Sequence, residues 1–259
     1  MDAGGGSPSP NAQRLPPDAS PRIILLNGTG SAGKTSIARA LQALFEEPYL
    51  HLGMDCFYVE VCPPKYLFRL VEPGAYVEGE EARARESVLF LPSGTGEAGQ
   101  GAGTAIRLPP FGHRLISSMH HAVAAVAGLG NRVIVDHVLW EPRWLRECLE
   151  LWRGFSVLFV GVRCPLAVVE ARELARADRS AKGVVRWQFE RVHAHGLYDL
   201  EVDTSVASPL ECAERIKRRA LEGPGPEAFE RLRARVARDD ERAAGSAGGF
   251  DGRPLSPSS

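Results

Sequence analysis

Short runs of continuous apolar residues alternate along the chain with longer stretches in which apolar residues recur every three or four positions. The continuous runs predict buried β-strands at residues 23–26, 49–54, 132–136, 156–162 and 199–202. The periodic stretches predict helices at residues 36–45, 112–127, 141–152, 184–193 and 210–221. Because buried strands that alternate with helices form a parallel sheet covered on both faces, we expect an α/β fold with three layers around five parallel strands.

Segments rich in Gly, Ser and Pro divide the chain into a core and its extensions. Residues 1–20 lack apolar residues in any periodic order and are predicted to be a disordered leader. The core domain is predicted to span residues 21–222 and to contain a flexible Gly-rich insertion at about 92–104. Residues 223–259 are predicted to form a charged helix, at about 226–242, and a disordered tail.

Composition excludes several classes of partner. Hydrophobic residues make up 44% of the chain, charged residues 24%, and the formal net charge is −1, so no general attraction to nucleic acid or acidic membranes is expected. No run of about 18 apolar residues predicts a membrane span. The five cysteines are scattered in a pattern typical of neither disulfide frameworks nor zinc sites. We therefore expect a cytoplasmic protein, and a homo-oligomer remains an open alternative.

One motif predicts a phosphate-binding loop directly after the first strand. The loop matches G-x-x-x-x-G-K-[ST], with glycines that let backbone N–H groups turn toward phosphates. Lys34 would bind the β- and γ-phosphate oxygens, and the Thr35 hydroxyl would bind Mg²⁺. A chance Gly-rich turn is the alternative, but a strand precedes the motif and a helix follows it, as in the P-loop NTPase and kinase fold. The cofactor-binding residues are Gly28, Thr29, Gly30, Ser31, Ala32, Gly33, Lys34 and Thr35.

Two aspartates follow predicted strands and are candidates for chemistry beside this loop. Asp136 ends a buried apolar run, where a carboxylate can bind Mg²⁺ together with Thr35. Asp55 follows the second strand, where a carboxylate can accept the proton of an attacking hydroxyl. The alternative for both residues is an ordinary turn or helix-capping aspartate.

An arginine-rich helical stretch after the fourth strand carries three candidate catalytic cations. Arg172, Arg176 and Arg179 recur at helical spacing and could neutralise the charge that develops on a transferring phosphoryl group. The alternative is a solvated helix face on which Glu170 and Glu173 pair with these arginines.

Histidine pairs elsewhere in the sequence are predicted to have no metal-binding role. His193 and His195 have no third ligand nearby, so a structural or substrate-lining role is expected. His120 and His121 lie within a predicted helix and are interpreted as incidental.

Taken in order across residues 22–218, these features resemble the chloramphenicol phosphotransferase family. The resemblance implies ATP-dependent phosphorylation of a hydroxyl, with chloramphenicol as the namesake acceptor and ATP and Mg²⁺ as cofactors. It also implies that Asp55 is the base and that Arg172, Arg176 and Arg179 belong to a lid over the phosphates. The matching segments are residues 23–35, 52–55, 133–138, 160–164, 171–179, 192–193, 198–199 and 201–204.

Two alternative functions remain open at this point. A kinase of the same type could act on another hydroxyl metabolite or a nucleoside, and antibiotic resistance need not be its biological role. A nucleotide-binding regulator could instead use the charged segment 227–242 to bind a partner, although the chain has no Asn-Lys-x-Asp guanine-binding signature. Under the kinase hypotheses, deletion of residues 224–259 is expected to leave small-molecule phosphorylation intact.

Overall fold

The computed structural model describes residues 20–63, 66, 69–70, 89–93, 103–176 and 182–247. The predicted leader, except Ser20, and residues 248–259 of the predicted tail lie outside these described residues.

Five parallel strands form the central sheet, as the apolar runs predict. Their order across the sheet is β2-β6-β1-β7-β8, so β1 lies in the middle with β6 and β7 hydrogen-bonded on either side. Every residue of β1 is buried because both edges and both faces of this strand are covered. The strands are β1 (Ile23–Asn27), β2 (Tyr49–Gly53), β6 (Arg132–His137), β7 (Val157–Arg163) and β8 (Leu200–Asp203).

Helices cover both faces of this sheet. Successive β1 residues point to opposite faces, and Ile23 and Leu25 therefore belong to one hydrophobic cluster while Ile24 and Leu26 belong to another. Residues of α3, α4 and α8 complete the first cluster, and residues of α1, α5, α6 and α7 complete the second. The helices are α1 (Lys34–Leu44), the π-helical α2 (Cys56–Val61), α3 (Pro110–Gly128), α4 (Pro142–Leu151), α5 (Leu166–Ala175), α6 (Val184–Phe189), α7 (Pro209–Glu222) and α8 (Ala228–Ala247).

Two of the predicted helices are shorter than the sequence pattern indicates. The arginine-rich helix α5 ends at Ala175, and Arg176 has an extended backbone. The predicted helix at 184–193 ends at Phe189, and residues 190–195 form turns. Within the described ranges, no helix is both long and apolar enough to cross a bilayer.

A small second sheet occupies part of the region interpreted as a Gly-rich insertion. It consists of β3 (Arg69–Leu70), β4 (Leu89–Ser93) and β5 (Gly103–Arg107), and β4 and β5 pair antiparallel from Leu89↔Arg107 to Ser93↔Gly103. Both ends of the predicted flexible segment 92–104 are therefore strand residues, which corrects that boundary, and its interior at 94–102 lies outside the described residues. The nine residues between β4 and β5 are too many for a tight hairpin turn, so no turn signal in the sequence predicts this pairing.

The C-terminal helix α8 packs against the central domain, whereas its charged sequence predicts a separate tail. Ala228, Phe229 and Leu232 are buried in the first hydrophobic cluster. The Phe229 ring stacks on the Trp152 ring at a centroid distance of 5.9 Å, and Arg233 Nε donates a hydrogen bond to the Leu149 carbonyl at 2.7 Å. The first turns of α8 therefore belong to the core of the domain.

Because of this packing, we predict that α8 cannot be removed without loss of stability. Phe229→Ala should lower the free energy of unfolding by about 3–5 kcal/mol, since it leaves a cavity against Trp152 and Phe159. Deletion of residues 224–259 should destabilise the domain further, contrary to the expectation from sequence. Urea denaturation followed by circular dichroism measures both effects.

The matched control is Leu129→Ala, which truncates an apolar side chain that is 83% exposed. This variant should change the free energy of unfolding by no more than about 0.5 kcal/mol. Equal stability of Phe229→Ala and the wild type would contradict the packing described for α8.

Candidate active site

The phosphate loop connects β1 to α1 at the carboxyl edge of the central sheet. Gly28 must be glycine, because a Cβ atom there would lie 2.5 Å from the Val162 carbonyl oxygen of β7. Gly33, the N-cap residue just before α1, has a φ of 90°, and Ser31 has a φ of 58°. Two of the residues from 31 to 33 therefore have a left-handed backbone conformation. Its backbone is thereby turned as phosphate binding requires.

A threonine from another part of the chain fixes the middle of this loop. Thr204, just after β8, donates its hydroxyl hydrogen to the Ala32 carbonyl at 2.9 Å. Arg172 donates to the Thr204 hydroxyl at 2.9 Å and to the Thr204 carbonyl at 2.7 Å. Arg172, predicted from sequence as a lid residue, therefore supports the loop through Thr204 in addition to lining the cavity.

Lys34, Thr35 and Asp136 meet at the start of α1. The Thr35 hydroxyl donates to Asp136 Oδ2 at 2.5 Å, and Lys34 Nζ lies 3.7 Å from Asp136 Oδ1. Lys34 Nζ also donates to the Thr29 carbonyl at 2.7 Å. The structure thus brings together the three residues to which the sequence assigned the phosphates and the metal.

The chemistry of this group fits Mg²⁺. Adjacent hydroxyl and carboxylate oxygens are hard ligands, and Mg²⁺ in phosphoryl-transfer sites is held by few protein oxygens together with phosphate and water. Among the described residues, no group of three or more His, Cys, Asp or Glu side chains forms a metal site. Thr35 and Asp136 offer two oxygen ligands, and nucleotide phosphates and water would supply the others that octahedral Mg²⁺ needs.

His51 is a neighbour of Asp136 that the sequence reasoning missed. Its Nε2 atom lies 3.9 Å from Asp136 Oδ2. Burial lowers the pKa of His51, against the opposing effect of the Asp136 carboxylate. No motif marks this histidine, because its position in the middle of β2 gives it a polar neighbour only when β6 pairs alongside.

A cavity of about 500 Å³ extends from the phosphate loop to an apolar wall. Asp55 lines this cavity, and its side chain is exposed on the helical turn after β2, whereas the sequence placed it directly at a strand end. Lys34, Thr35 and Asp136 line the same space. The apolar wall consists of Met54, Tyr58, Val59, Ile106, Leu108, Val138, Trp140 and Val184.

The predicted arginine lid is only partly described. Arg176 lines the cavity, whereas Arg179 lies outside the described residues. Glu173 does not pair with a neighbouring arginine on a solvated face: it is buried, and its carboxylate accepts hydrogen bonds from the backbone N–H groups of Gly183 and Val185. The alternative of a paired, solvent-exposed helix face is therefore wrong for Glu173.

The histidines after α6 support the base of the loop. Asn27, the last residue of β1, donates to the Tyr198 hydroxyl at 2.8 Å and to the Val192 carbonyl at 2.7 Å. Since Tyr198 accepts from Asn27, its own hydrogen is directed to His193 Nδ1 at 2.5 Å. Burial lowers the pKa of His193 to about 3 and that of His195 to about 4, so both rings are neutral at pH 7.

His120 is a structural residue, which corrects its interpretation as incidental. It is fully buried, and its two ring nitrogens contact Glu147 Oε2 at 2.6 Å and His137 Nε2 at 2.8 Å. Burial, followed by the charge of nearby His120, lowers the pKa of His137. Among the residues that the structure describes, His121, its neighbour in sequence, contacts only the Ser117 carbonyl of its own helix. The two residues differ because His120 lies on the buried face of α3, whereas His121 is exposed.

Comparison with known proteins gives consistent matches. A family model described as chloramphenicol phosphotransferase-like protein matches residues 21–221. A curated protein of Mycobacterium tuberculosis (strain H37Rv) named "putative O-phosphotransferase" is 32% identical over 214 residues, which are 83% of this chain and 88% of that protein.

Two solved structures resemble the fold. A sugar kinase from Janibacter sp. HTCC2649 has a TM-score of 0.50 and 17% identity, and the match covers 78% of this chain and 95% of that chain. A "putative kinase" from Chloroflexus aurantiacus has a TM-score of 0.50 and 15% identity, and the match covers 79% of this chain and 98% of that chain. At these identities the likeness supports the kinase fold alone.

The low pKa of His193 predicts a specific acid sensitivity. Below its unfolded pKa of 6.5, the unfolded chain binds a proton at His193 that the folded protein does not accept until about pH 3. The contribution of His193 to the free energy of unfolding is therefore complete above pH 6.5. It is lost as the pH falls, by about 1.4 kcal/mol per pH unit for this one proton. In His193→Gln, which keeps an acceptor for Tyr198, this part of the slope between pH 6 and pH 4 should disappear.

Denaturant unfolding of the two proteins at several pH values measures this difference, because the other titrating groups contribute equally to both. Identical slopes would contradict a buried, neutral His193.

Proposed function

We propose that this chain, which belongs to the chloramphenicol phosphotransferase-like protein family, transfers the γ-phosphoryl group of ATP to a hydroxyl of a small-molecule acceptor. The family and the fold make the chain a P-loop phosphotransferase. The observation that carries the finer proposal is that one cavity brings together the phosphate loop, the Thr35–Asp136 pair and the exposed Asp55 carboxylate beside an apolar wall.

The phosphate loop and Lys34 bind the nucleotide phosphates in this proposal. Backbone N–H groups at the start of α1 donate to the phosphates, and the helix dipole adds to this attraction. Mg²⁺, when bound, would neutralise the phosphate oxygens. Thr35 and Asp136 already lie within hydrogen-bonding distance of each other and would hold the ion.

Asp55 acts as the general base in the transfer step. The acceptor hydroxyl oxygen attacks the γ-phosphorus, and a new oxygen–phosphorus bond forms as the bond between this phosphorus and the β,γ-bridging oxygen breaks. ADP leaves with that oxygen, and the hydroxyl proton passes to the Asp55 carboxylate and then to solvent. The exposure of Asp55 toward the cavity supports this role, because the carboxylate can reach an acceptor bound there.

Arginine and lysine side chains balance the charge that develops during transfer. Lys34, Arg172 and Arg176 all line the cavity, so cations surround the position at which a γ-phosphate would lie. Arg179 remains a prediction from sequence for the same role.

The apolar wall favours an acceptor with an apolar or aromatic body and a reactive hydroxyl group. Trp140, Tyr58 and Ile106 are among its residues, and such surfaces bind aromatic rings better than highly polar sugars. Chloramphenicol is therefore the first acceptor to test, and other hydroxyl metabolites and nucleosides are the next. The O-phosphotransferase name of the mycobacterial relative supports transfer to oxygen.

The test is the formation of phosphorylated product with ATP and Mg²⁺ over a panel that includes chloramphenicol, detected by mass spectrometry. Asp55→Asn should lower the turnover number by about 10²–10⁴-fold, because it removes the base while keeping the size of the side chain. Its affinity for ATP should stay unchanged, since Asp55 does not contact the phosphates in this proposal.

Asp240→Asn is the matched control, because Asp240 is an exposed residue whose only described ion pair is with Arg146 on α4. It should retain full turnover. Product formation by Asp55→Asn at the rate of the wild type would contradict the role of Asp55 as general base. Absence of product with every acceptor would contradict the proposed phosphotransferase activity.

A further inference from the structure

The side chain of Gln188 contacts the phosphate loop directly. The backbone N–H of Gly30 donates a hydrogen bond of 2.7 Å to Gln188 Oε1. Because a backbone N–H can only donate, the atom it contacts must be the carbonyl oxygen of the amide, and this fixes the orientation of the side chain. The NH₂ group of Gln188 therefore points away from Gly30.

The two N–H donors of this NH₂ group are available on the cavity side. Gln188 is 95% buried, with a relative exposure of 5%, yet it is one of the residues that line the cavity. Within the part of the chain that the structure describes, no group accepts a hydrogen bond from Nε2. Nε2 is not among the described buried polar atoms that lack a partner, so it reaches the open space of the cavity, where a ligand or water can accept from its two donors.

The helix that carries Gln188 is firmly held. The buried Glu173 carboxylate accepts from the N–H groups of Gly183 at 2.7 Å and Val185 at 3.2 Å, at the start of α6. At the other end of α6, the Gln188 carbonyl accepts from the N–H groups of Arg191 and Val192. The amide is therefore presented to the cavity from a fixed backbone.

The cavity side of this amide is the place where the γ-phosphate is expected. Lys34 Nζ, which binds β- and γ-oxygens in loops of this kind, donates to the carbonyl of Thr29, the residue before Gly30. Gln188 is thus anchored one residue from the carbonyl that holds the lysine ammonium group.

We propose that the Gln188 NH₂ group donates a hydrogen bond to the γ-phosphoryl group of bound ATP and so contributes to distinguishing ATP from ADP. This inference rests on the proposed function, because it needs ATP in the cavity. Gln188 accepts the hydrogen bond of the Gly30 N–H, so this N–H does not bind a phosphate. The Gln188 NH₂ group would supply donors in its place, farther into the site. No sequence pattern predicts this role, since glutamine has no charge and its partner Gly30 lies 158 residues away.

The experiment compares binding of ADP and of a non-hydrolysable ATP analogue, each with Mg²⁺, by isothermal titration calorimetry. Gln188→Glu keeps a carbonyl-type acceptor for Gly30 but replaces the donor with a negative charge. It should weaken binding of the ATP analogue by about a hundredfold and binding of ADP by less than about threefold. Gln188→Met, which removes donor and acceptor without adding charge, should weaken ATP-analogue binding by about tenfold.

Gln42→Glu is the control for the added charge. Gln42 is exposed on α1, donates to the Tyr49 carbonyl and does not line the cavity. It should leave both affinities within about twofold of the wild type, and thermal melting checks that each variant is folded.

Each outcome decides between distinct conclusions. Equal losses of ATP-analogue and ADP affinity in folded Gln188→Glu would mean that Gln188 only shapes the loop. Unchanged affinities would exclude a contact between Gln188 and the γ-phosphoryl group. Either result overturns this inference and leaves the proposed function standing. Wild-type protein that binds neither nucleotide would overturn the proposed function and this inference with it.

Discussion

The conformation of residues 28–33 is the constraint on which the rest of the site depends. A phosphate loop must keep several backbone N–H groups turned inward, and this conformation leaves its own carbonyl and N–H groups without partners in a regular element. Here the Thr204 hydroxyl donates a hydrogen bond to the Ala32 carbonyl, and the Gln188 side-chain oxygen accepts one from the Gly30 N–H. The loop is thus held on both sides by side chains from distant segments.

These two supports connect the loop to distant parts of the fold. Thr204 follows β8 and is itself bonded by Arg172 of α5. Gln188 belongs to α6, whose first N–H groups are bonded by the buried Glu173 carboxylate. The second sheet joins the same network, because Thr104 of β5 donates to the carbonyls of Gly183 and Lys182. The apolar wall and the phosphate loop therefore share one set of supports.

The parts of this arrangement that the sequence predicts are local ones. The apolar runs predict all five parallel strands because each strand is buried on both faces, and the phosphate loop is a contiguous motif. Lys34, Thr35, Asp136 and Asp55 are predictable as neighbours of one cavity, because the strand ends and the segments directly after them meet at one edge of such a sheet.

The parts that the sequence does not predict depend on long-range contacts. Thr204 and Gln188 bond to loop atoms 172 and 158 residues away. Thr204 ends a segment that resembles the family but has no role assigned from sequence, and Gln188 lies in no matching segment. The burial of Phe229 is similar, because a mostly charged helix carries its few apolar residues on one face whose partner, Trp152, belongs to another element. Pairing of β4 with β5 across a Gly-rich segment also leaves no local pattern.

The most direct measurement of the central claim follows the γ-phosphorus itself. ATP labelled at this atom is incubated with Mg²⁺, the protein and an acceptor that has an aromatic body and a hydroxyl group, and the products are separated. The label should appear on the acceptor oxygen in amounts equal to the ADP formed. Label that stays in ATP or appears only as inorganic phosphate, with every acceptor of this kind, would contradict phosphoryl transfer to a hydroxyl.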